Sequence, residues 1–226
     1  MIGMRVRGAL AVVGLAAGLV AGAGSAHAGP QSCSPANPFR PTAELFATDS
    51  TATITDPNDP RVHDRLEGFE LDVDRIELSD YTLPVGSTLV SGVFWSDTQK
   101  VATYEASRDF RLACADSTEL RRVADQVRVR YHQESVLTFE PRPAGDPARN
   151  AFVVEVPGVD ITRFHDALVA DPEARTRLGG GSVTENHTLI LVADLADLDL
   201  TRRFLTGLGA NWDPGTIRYG DREFVD

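Results

Sequence analysis

An approximate internal repeat is the feature that most constrains how this chain can fold. Arg121-Arg122-Val123 recurs 81 positions later as Arg202-Arg203-Phe204. The same shift relates four further positions: Ala115-Asp116 with Ala196-Asp197, Val127 with Leu208, and Tyr131 with Trp212. The matching apolar positions lie on one face of a predicted helix in each copy. The repeat therefore predicts two related halves.

A second pair of similar segments opens the two halves. RVHDRL begins at Arg61 and RFHDAL at Arg163, which places His63-Asp64 and His165-Asp166 at equivalent positions. Neighbouring side chains on a helix point in different directions, so we expect no imidazole–carboxylate hydrogen bond within either pair. Neither pair has a third metal ligand at helical spacing. We therefore interpret the pairs as remnants of a duplication and not as catalytic or metal sites.

The first half shows signals for strands and helices in alternation. Asp59-Pro60 provides a helix start, and Asp116 with Glu119 forms a capping box. The predicted strands are Leu45–Ile54, Phe69–Asp74, Thr88–Trp95, Val101–Ala113 and Ser135–Phe139. One helix is predicted to begin after Pro60 and to end at Gly68, and another is predicted to begin after Asp116.

The second half repeats this order of elements. Asp160 is expected to cap a helix that is interrupted at Asp171-Pro172, and Gly179-Gly180-Gly181 is expected to act as a flexible stop. A further helix is expected to begin near Asp197 and end around Gly209. The predicted strands are Phe152–Val156, Thr188–Ala193 and Thr216–Tyr219.

Each half therefore has the order β-α-β-β-α-β, with two helices on one face of an antiparallel sheet. The sheet face without helices must be shielded from solvent, and packing against the other half can shield it. The predicted fold class is α+β, two tandem ferredoxin-like units packed sheet to sheet, of the dimeric α/β-barrel type. The predicted divisions are a signal peptide (1–28), an extended arm (29–44), a first unit (45–140), a linker (141–148) and a second unit (149–226).

The N-terminal segment has the pattern of a secretory signal. Arg5 and Arg7 precede an uncharged apolar run, and Ala26-His27-Ala28 resembles a cleavage site. We expect cleavage near Ala28 and a secreted, extracellular protein. No later segment has the length and hydropathy of a membrane span.

The charge balance limits the classes of partner. After removal of residues 1–28, 20 basic residues face 33 acidic ones, a net charge of −13 with neutral histidine. A field of that sign repels phosphate backbones and anionic lipid, so we expect neither nucleic acid nor membrane as partner. We expect a monomer, a pseudo-dimer within one chain, whose partner is an unknown extracellular protein or small molecule.

Cys33 and Cys114 are the two cysteines of the sequence. In an oxidising compartment an even number favours a structural disulfide between them. A catalytic thiol is the alternative.

Signatures that would assign an activity are missing from the sequence. It contains no Gly-x-Ser-x-Gly, His-Glu-x-x-His or Cys-x-x-Cys motif, and the triple glycine lacks the lysine of a phosphate-binding loop. The acidic run Asp194–Asp199 lacks the glycine and terminal glutamate of a calcium loop. No metal or cofactor is therefore expected.

Two functions remain open. The first is a non-catalytic binding or interaction module. The alternative is an enzyme acting on a small organic molecule in a pocket between the two sheets, and an inhibitor of extracellular hydrolases also stays open. For the enzyme, the candidate general acids or bases are His132 and His187 with Glu105, Glu134 or Glu185.

Residues 43–139 contain three segments that carry a family resemblance. These are Gly92-x-x-Trp95-x-Asp97, Glu105-x-Ser107, and Gln133 to Leu137 at the end of a predicted helix. The segments resemble an exported bacterial family catalogued as domain of unknown function 3574. The resemblance implies export and a small α+β fold, and it brings no catalytic residue.

Overall fold

The computed structural model describes residues 42–143, 145–210, 213 and 216–226. Its strands are β1 (Ala43–Ala47), β2 (Leu83–Ser96), β3 (Val101–Ala113), β4 (Val136–Pro141), β5 (Ala151–Pro157), β6 (Gly180–Thr184), β7 (Thr188–Asp194) and β8 (Arg218–Val225). Its helices are α1 (Glu67–Ser79), α2 (Ser117–Arg130), α3 (Ile161–Ala170), α4 (Pro172–Arg177) and α5 (Leu198–Gly207), with short 3₁₀ helices at Pro60–His63 and Leu195–Asp197.

The strands form one closed antiparallel barrel in the order β1-β3-β2-β6-β7-β5-β8-β4. The strands of the two halves are hydrogen-bonded edge to edge: β2 pairs with β6, and β4 pairs with β8. The prediction of two ferredoxin-like units packed sheet to sheet, of the dimeric α/β-barrel type, is therefore wrong. Closing the barrel pairs the backbone groups that two separate sheets would leave unpaired at their edges.

The helices pack against the outside of the barrel, and the main apolar clusters lie beneath them. One cluster joins α1 and α2 to β1 and β3 through Phe69, Val123 and Phe110. Another joins α3 and α5 to β5 and β7 through Phe164, Phe204 and Leu191. A smaller cluster fills part of the barrel interior: Val90, Phe139, Ala151, Val153 and Ile190. The barrel wall is therefore covered outside and only partly filled inside.

Helix α1 replaces the strand predicted at Phe69–Asp74. The alternation of apolar and acidic residues suggested a strand, but Phe69, Val73 and Ile76 recur at helical spacing, and these three side chains are buried. Leu71, which the strand would have buried with them, is 57% exposed. The period of the buried positions, and not the local alternation, determined the element.

Several local predictions are confirmed. Asp116 and Glu119 form the capping box of α2, and the Asp160 side chain accepts a hydrogen bond from the Arg163 N–H at the start of α3. Asp171-Pro172 ends α3 and begins α4. Predicted strand Leu45–Ile54 is shorter than expected, because β1 ends at Ala47 and Ile54 forms only an isolated bridge to Tyr104.

The triple glycine is not a flexible stop, because Gly180 and Gly181 belong to β6. Gly180 faces Phe94 where β6 meets β2. A β-carbon at Gly180 would collide with the carbonyl oxygen of Val93 and with the backbone of Phe94. Glycine therefore permits the close approach of the two halves.

The predicted signal peptide and most of the predicted arm lie outside the described residues. Cys33 lies there too, so the predicted Cys33–Cys114 disulfide involves a residue outside the described part of the chain. Among the helices that the structure describes, none has the length and hydropathy needed to cross a membrane.

Glu77 on α1 leads to a prediction about stability and pH. Its side chain is buried, and its carboxyl oxygens have no hydrogen-bond partner among the described residues. Burial, and secondarily the charge of Asp74, raise its pKa from 4.5 to about 8. Between these values the folded protein holds a proton that the unfolded chain has lost, so stability declines as pH rises through that range.

We expect Glu77→Gln to flatten this decline by up to about 1.4 kcal/mol per pH unit between about pH 5 and 8. Urea unfolding at several pH values measures the slope. Glu67→Gln, at an exposed position of the same helix, is the control and should leave the slope unchanged. An identical slope in Glu77→Gln and the native protein would contradict the prediction.

Candidate functional site

A cavity of about 340 Å³ occupies one end of the barrel. Its apolar wall contains four aromatic residues, Phe46, Phe94, Trp95 and Phe224. Phe94 is 37% exposed and Phe224 is 54% exposed, so both rings can be reached from solvent. The polar wall contains Glu105, Ser107, Gln133, Ser135, Ser182 and Arg222. We call this space the barrel-end cavity.

The alternation of β3 places its polar residues at this cavity. Tyr104, Ala106 and Phe110 pack in the outer clusters beneath the helices. The residues between them therefore point into the barrel, since successive side chains of a strand face opposite sides. Glu105 and Ser107 reach the cavity in this way.

Glu105 is the titratable group of the cavity whose proton affinity is most altered. Burial raises its pKa from 4.5 to about 7, and a hydrogen bond with the Ser107 side chain opposes part of that shift. A carboxyl group with a pKa near 7 can donate or accept a proton at neutral pH. Glu105 is therefore the group of this cavity best suited to proton transfer.

Arg222 brings positive charge to the cavity wall, but that charge is already paired. Its Nη2 lies 2.7 Å from Asp194 Oδ2, and its Nη1 donates a hydrogen bond to the Val192 carbonyl at 3.1 Å. Its guanidinium also lies 5.7 Å from the ring centre of Phe224. These contacts fix Arg222 as part of the wall and reduce its attraction for an anionic ligand.

A second polar cluster lies along the barrel interior. Arg218 donates to Glu44 through Nη1 at 2.6 Å and Nη2 at 3.2 Å, and to Glu155 at 2.9 Å. Asp109 is buried beside them, and one of its carboxyl oxygens has no partner among the described residues. Burial, and then the charge of Glu44, raise the pKa of Asp109 to about 8. Burial and the neighbouring carboxylate thus shift Asp109 toward its protonated form.

Of the five predicted acid–base candidates, one lies at the cavity. Glu105 lines it, whereas the other four are exposed at the surface. Those four are His132, His187, Glu134 and Glu185. Glu185 is instead paired with Arg65, with 3.0 Å between Nη1 and Oε1. The pocket predicted between two sheets is also replaced by a cavity at the end of one barrel.

The two His-Asp pairs differ in structure. His63 and Asp64 are exposed at the end of a 3₁₀ helix. His165 Nδ1 lies 3.0 Å from Asp166 Oδ1, so the expectation that neighbouring helical side chains cannot interact is wrong for this pair. The His165 ring stacks on Tyr104 with ring centres 5.1 Å apart. Packing against Tyr104 accounts for the position of the imidazole, and neither pair lines the barrel-end cavity.

Most of the cavity could not be identified from the sequence. Ser182 reaches it from a strand position that belongs to no motif. Gln133, the first residue of the Gln133-to-Leu137 segment, is buried and donates a hydrogen bond to the Thr48 carbonyl at 2.7 Å. The alternating run Glu105-x-Ser107-x-Asp109 was the available signal, because polar residues at every second position of a long strand indicate one shared face. In the described part of the chain, no group of three or more His, Cys, Asp or Glu side chains is placed to hold a metal ion.

Comparisons with known proteins give no family assignment. No protein-family model and no curated protein matches the chain. Among solved structures, a candidate monooxygenase from Lactobacillus acidophilus NCFM aligns over 82% of this chain and 95% of its own, at 10% identity and a TM-score of 0.26. An anthrone oxidase-like protein aligns over 81% of this chain and 92% of its own, at 12% identity and a TM-score of 0.24. These likenesses are too weak to support a functional argument.

Proposed function

We propose that this protein binds a small, largely apolar organic molecule in the barrel-end cavity. The supporting observation is an aromatic wall placed around a protonatable carboxyl group in one cavity. Phe46, Phe94 and Phe224 would contact the apolar body of the ligand, and Glu105 with Ser107 would hydrogen-bond a hydroxyl or carbonyl group. The volume of about 340 Å³ falls in the range of small-molecule sites.

The charges of the cavity disfavour an anionic ligand. Glu105 is the cavity's acidic group, with a pKa raised to about 7, and the one cation that the described residues bring to the wall, Arg222, is already paired with Asp194. An anionic ligand would lose its hydration without gaining an unpaired counter-charge. An aromatic or alicyclic molecule with one or two polar groups satisfies the available contacts.

The neutral fluorescent probe N-phenyl-1-naphthylamine tests this site. We expect it to bind one molecule per chain, and Ser135→Trp, which places an indole at the cavity wall, to weaken binding by about tenfold or more. Glu134→Trp adds the same ring at the neighbouring exposed position and should change the affinity by less than about twofold. Titration calorimetry measures both. Equal binding by the two variants would reject the barrel-end cavity as the site.

A second candidate function, proton-transfer catalysis such as isomerisation of the bound molecule, is favoured by Glu105. Its pKa of about 7 suits a general acid or base. For any turnover that a substrate screen detects, we expect the pH profile to have an inflection near pH 7. Glu105→Gln should lower the rate by about 10²- to 10⁴-fold, and Glu134→Gln should leave it unchanged. A rate that survives Glu105→Gln would rule out Glu105 as the proton-transfer group.

The wider setting of the protein is also part of the proposal. We propose export through the N-terminal segment and action outside the cell as a monomer, with membership of the resembled exported family. The signal-like pattern around Arg5, Arg7 and Ala28 supports export. Sequencing the N-terminus of protein recovered from culture supernatant tests cleavage near Ala28.

A further inference from the structure

A second cavity, of about 220 Å³, lies beside the barrel wall and shares Glu105 with the barrel-end cavity. Its other lining residues belong mainly to the segment after β1, including Asp49, Ser50, Ala52 and Asp64. Asp49, Ala52 and Asp64 are exposed, so this space is open to solvent. We call it the side cavity. Glu105 thus contacts two spaces that differ in polarity.

The side cavity exists because β1 stops before β3 does. The pairing of β1 with β3 ends at Ala47 and Arg108, and the chain returns to β3 only at the bridge between Ile54 and Tyr104. Between these contacts, the described segment from Asp49 to Thr53 has no ladder pairing with β3. A gap in the wall therefore lies beside Glu105, which is two residues before Ser107 on β3.

The edge of this gap is held by hydrogen bonds. Thr48 Oγ1 donates to the Ala106 carbonyl at 2.7 Å, and Gln133 Nε2 donates to the Thr48 carbonyl at 2.7 Å. Thr48 and Gln133 are both buried. Buried side chains with satisfied hydrogen bonds keep one position, so the gap is a built feature of the fold.

We propose that water in the side cavity hydrates the Glu105 carboxyl group, so that Glu105 still contacts water, and exchanges its proton with it, when a small molecule fills the barrel-end cavity. The exchange is an ordinary ionisation. The O–H bond of the carboxyl group breaks, the proton bonds to a water molecule to form hydronium, and the carboxylate remains; protonation is the reverse. That a small molecule occupies the barrel-end cavity rests on the proposed function, whereas the contact of Glu105 with water in the side cavity does not.

The charged groups around Glu105 are compatible with this exchange. On the side-cavity wall, Asp49 and Asp64 carry negative charge, and Arg61 is paired with Asp59. On the barrel-end wall the charged neighbour is Arg222, which is paired with Asp194. Carboxylates on the solvent side attract an outgoing proton, and the opposite wall is mainly aromatic.

The experiment fills the side cavity and follows the ionisation of Glu105 without any ligand. Ala52→Trp places an indole in the side cavity, and Thr53→Trp places one at the next, exposed position, which does not line it. The pKa of Glu105 is read by ¹³C NMR of the glutamate carboxyl groups and assigned with Glu105→Gln. Because Ala52→Trp excludes water, we expect it to raise this pKa from about 7 to about 8, while Thr53→Trp leaves it near 7.

Two further variants make the result decisive. Ser50→Phe is a smaller plug of the side cavity and replaces Ala52→Trp if that variant does not fold. Ser135→Trp plugs the barrel-end cavity and should raise the pKa of Glu105 less than the side-cavity plugs do. A pKa that stays near 7 with the side cavity filled, or rises only in Ser135→Trp, would overturn the proposed hydration of Glu105 from the side cavity. Either result would be separate from whether the naphthylamine probe binds.

Discussion

Gly180→Ala is expected to lower the free energy of unfolding by about 3 kcal/mol, the upper part of the range for overpacked sites. The new methyl group would meet the Val93 carbonyl and, at 2.8 Å, the Cα of Phe94. Both are backbone atoms of β2, so they cannot move aside as the end of a flexible side chain would. The two halves would have to separate where β2 pairs with β6.

Thermal and urea denaturation measure this effect. For a chain of this size, a loss of about 3 kcal/mol corresponds to a melting temperature lower by roughly 6–12 °C. Gly68→Ala is the matched control, because a β-carbon at this exposed position of α1 has no neighbour within 4 Å. It should stabilise the protein by about 0.5 kcal/mol through helix propensity. Equal melting temperatures for the two variants would contradict the proposed role of Gly180.

Arg218→Met is expected to be the most damaging single change to the interior polar cluster. Glu44 is 3% exposed and receives two hydrogen bonds from Arg218. Removing the guanidinium leaves a buried carboxylate without its cation, which typically costs 3–5 kcal/mol. Because the Arg218 side chain is 36% exposed, we expect a loss at the lower end, about 3 kcal/mol.

The double variant Glu44→Gln/Arg218→Met tests whether the unpaired charge of Glu44 causes the loss of stability. It should recover most of the lost stability, since neither side chain then places an unpaired charge in the barrel. Arg121→Met is the control, because its ion pair with Glu223 is exposed, and it should change stability by less than about 0.5 kcal/mol. Urea unfolding at pH 7 measures all three. Failure of the double variant to recover would show that Arg218 stabilises by packing rather than by charge pairing.

Features set by interactions between residues close in sequence were predicted correctly, whereas features set by contacts between distant residues were not. The capping box Asp116–Glu119 and the helix start at Asp160 were found because each depends on residues within one helical turn. Strands β2 and β3 were found from their β-branched and aromatic residues. Helix α1 was missed because the six residues Phe69–Asp74 fit both the two-residue period of a strand and the 3.6-residue period of a helix. Only the packing of their side chains distinguishes the two structures.

For the candidate site, the sequence supplied Glu105 as one of five acid–base candidates and gave no reason to prefer it. What distinguishes Glu105 is burial at the end of the barrel beside Ser107, with the aromatic residues of β1, β2 and β8 around it. These neighbours are far apart in sequence. His132 and His187, which have the more familiar side chains for acid–base chemistry, are exposed at turns with positive φ.

The sequence by itself determined strands β2 and β3, the caps of α2 and α3, and the acidic charge of the chain. The tertiary structure alone decided that β2 joins β6 and that β4 joins β8, because strand edges pair across long sequence separations that no local pattern encodes. That closure turns two sheet faces into one barrel interior. It also contributes to the raised pKa of Glu105, because burial in the barrel interior removes much of the water from its carboxyl group.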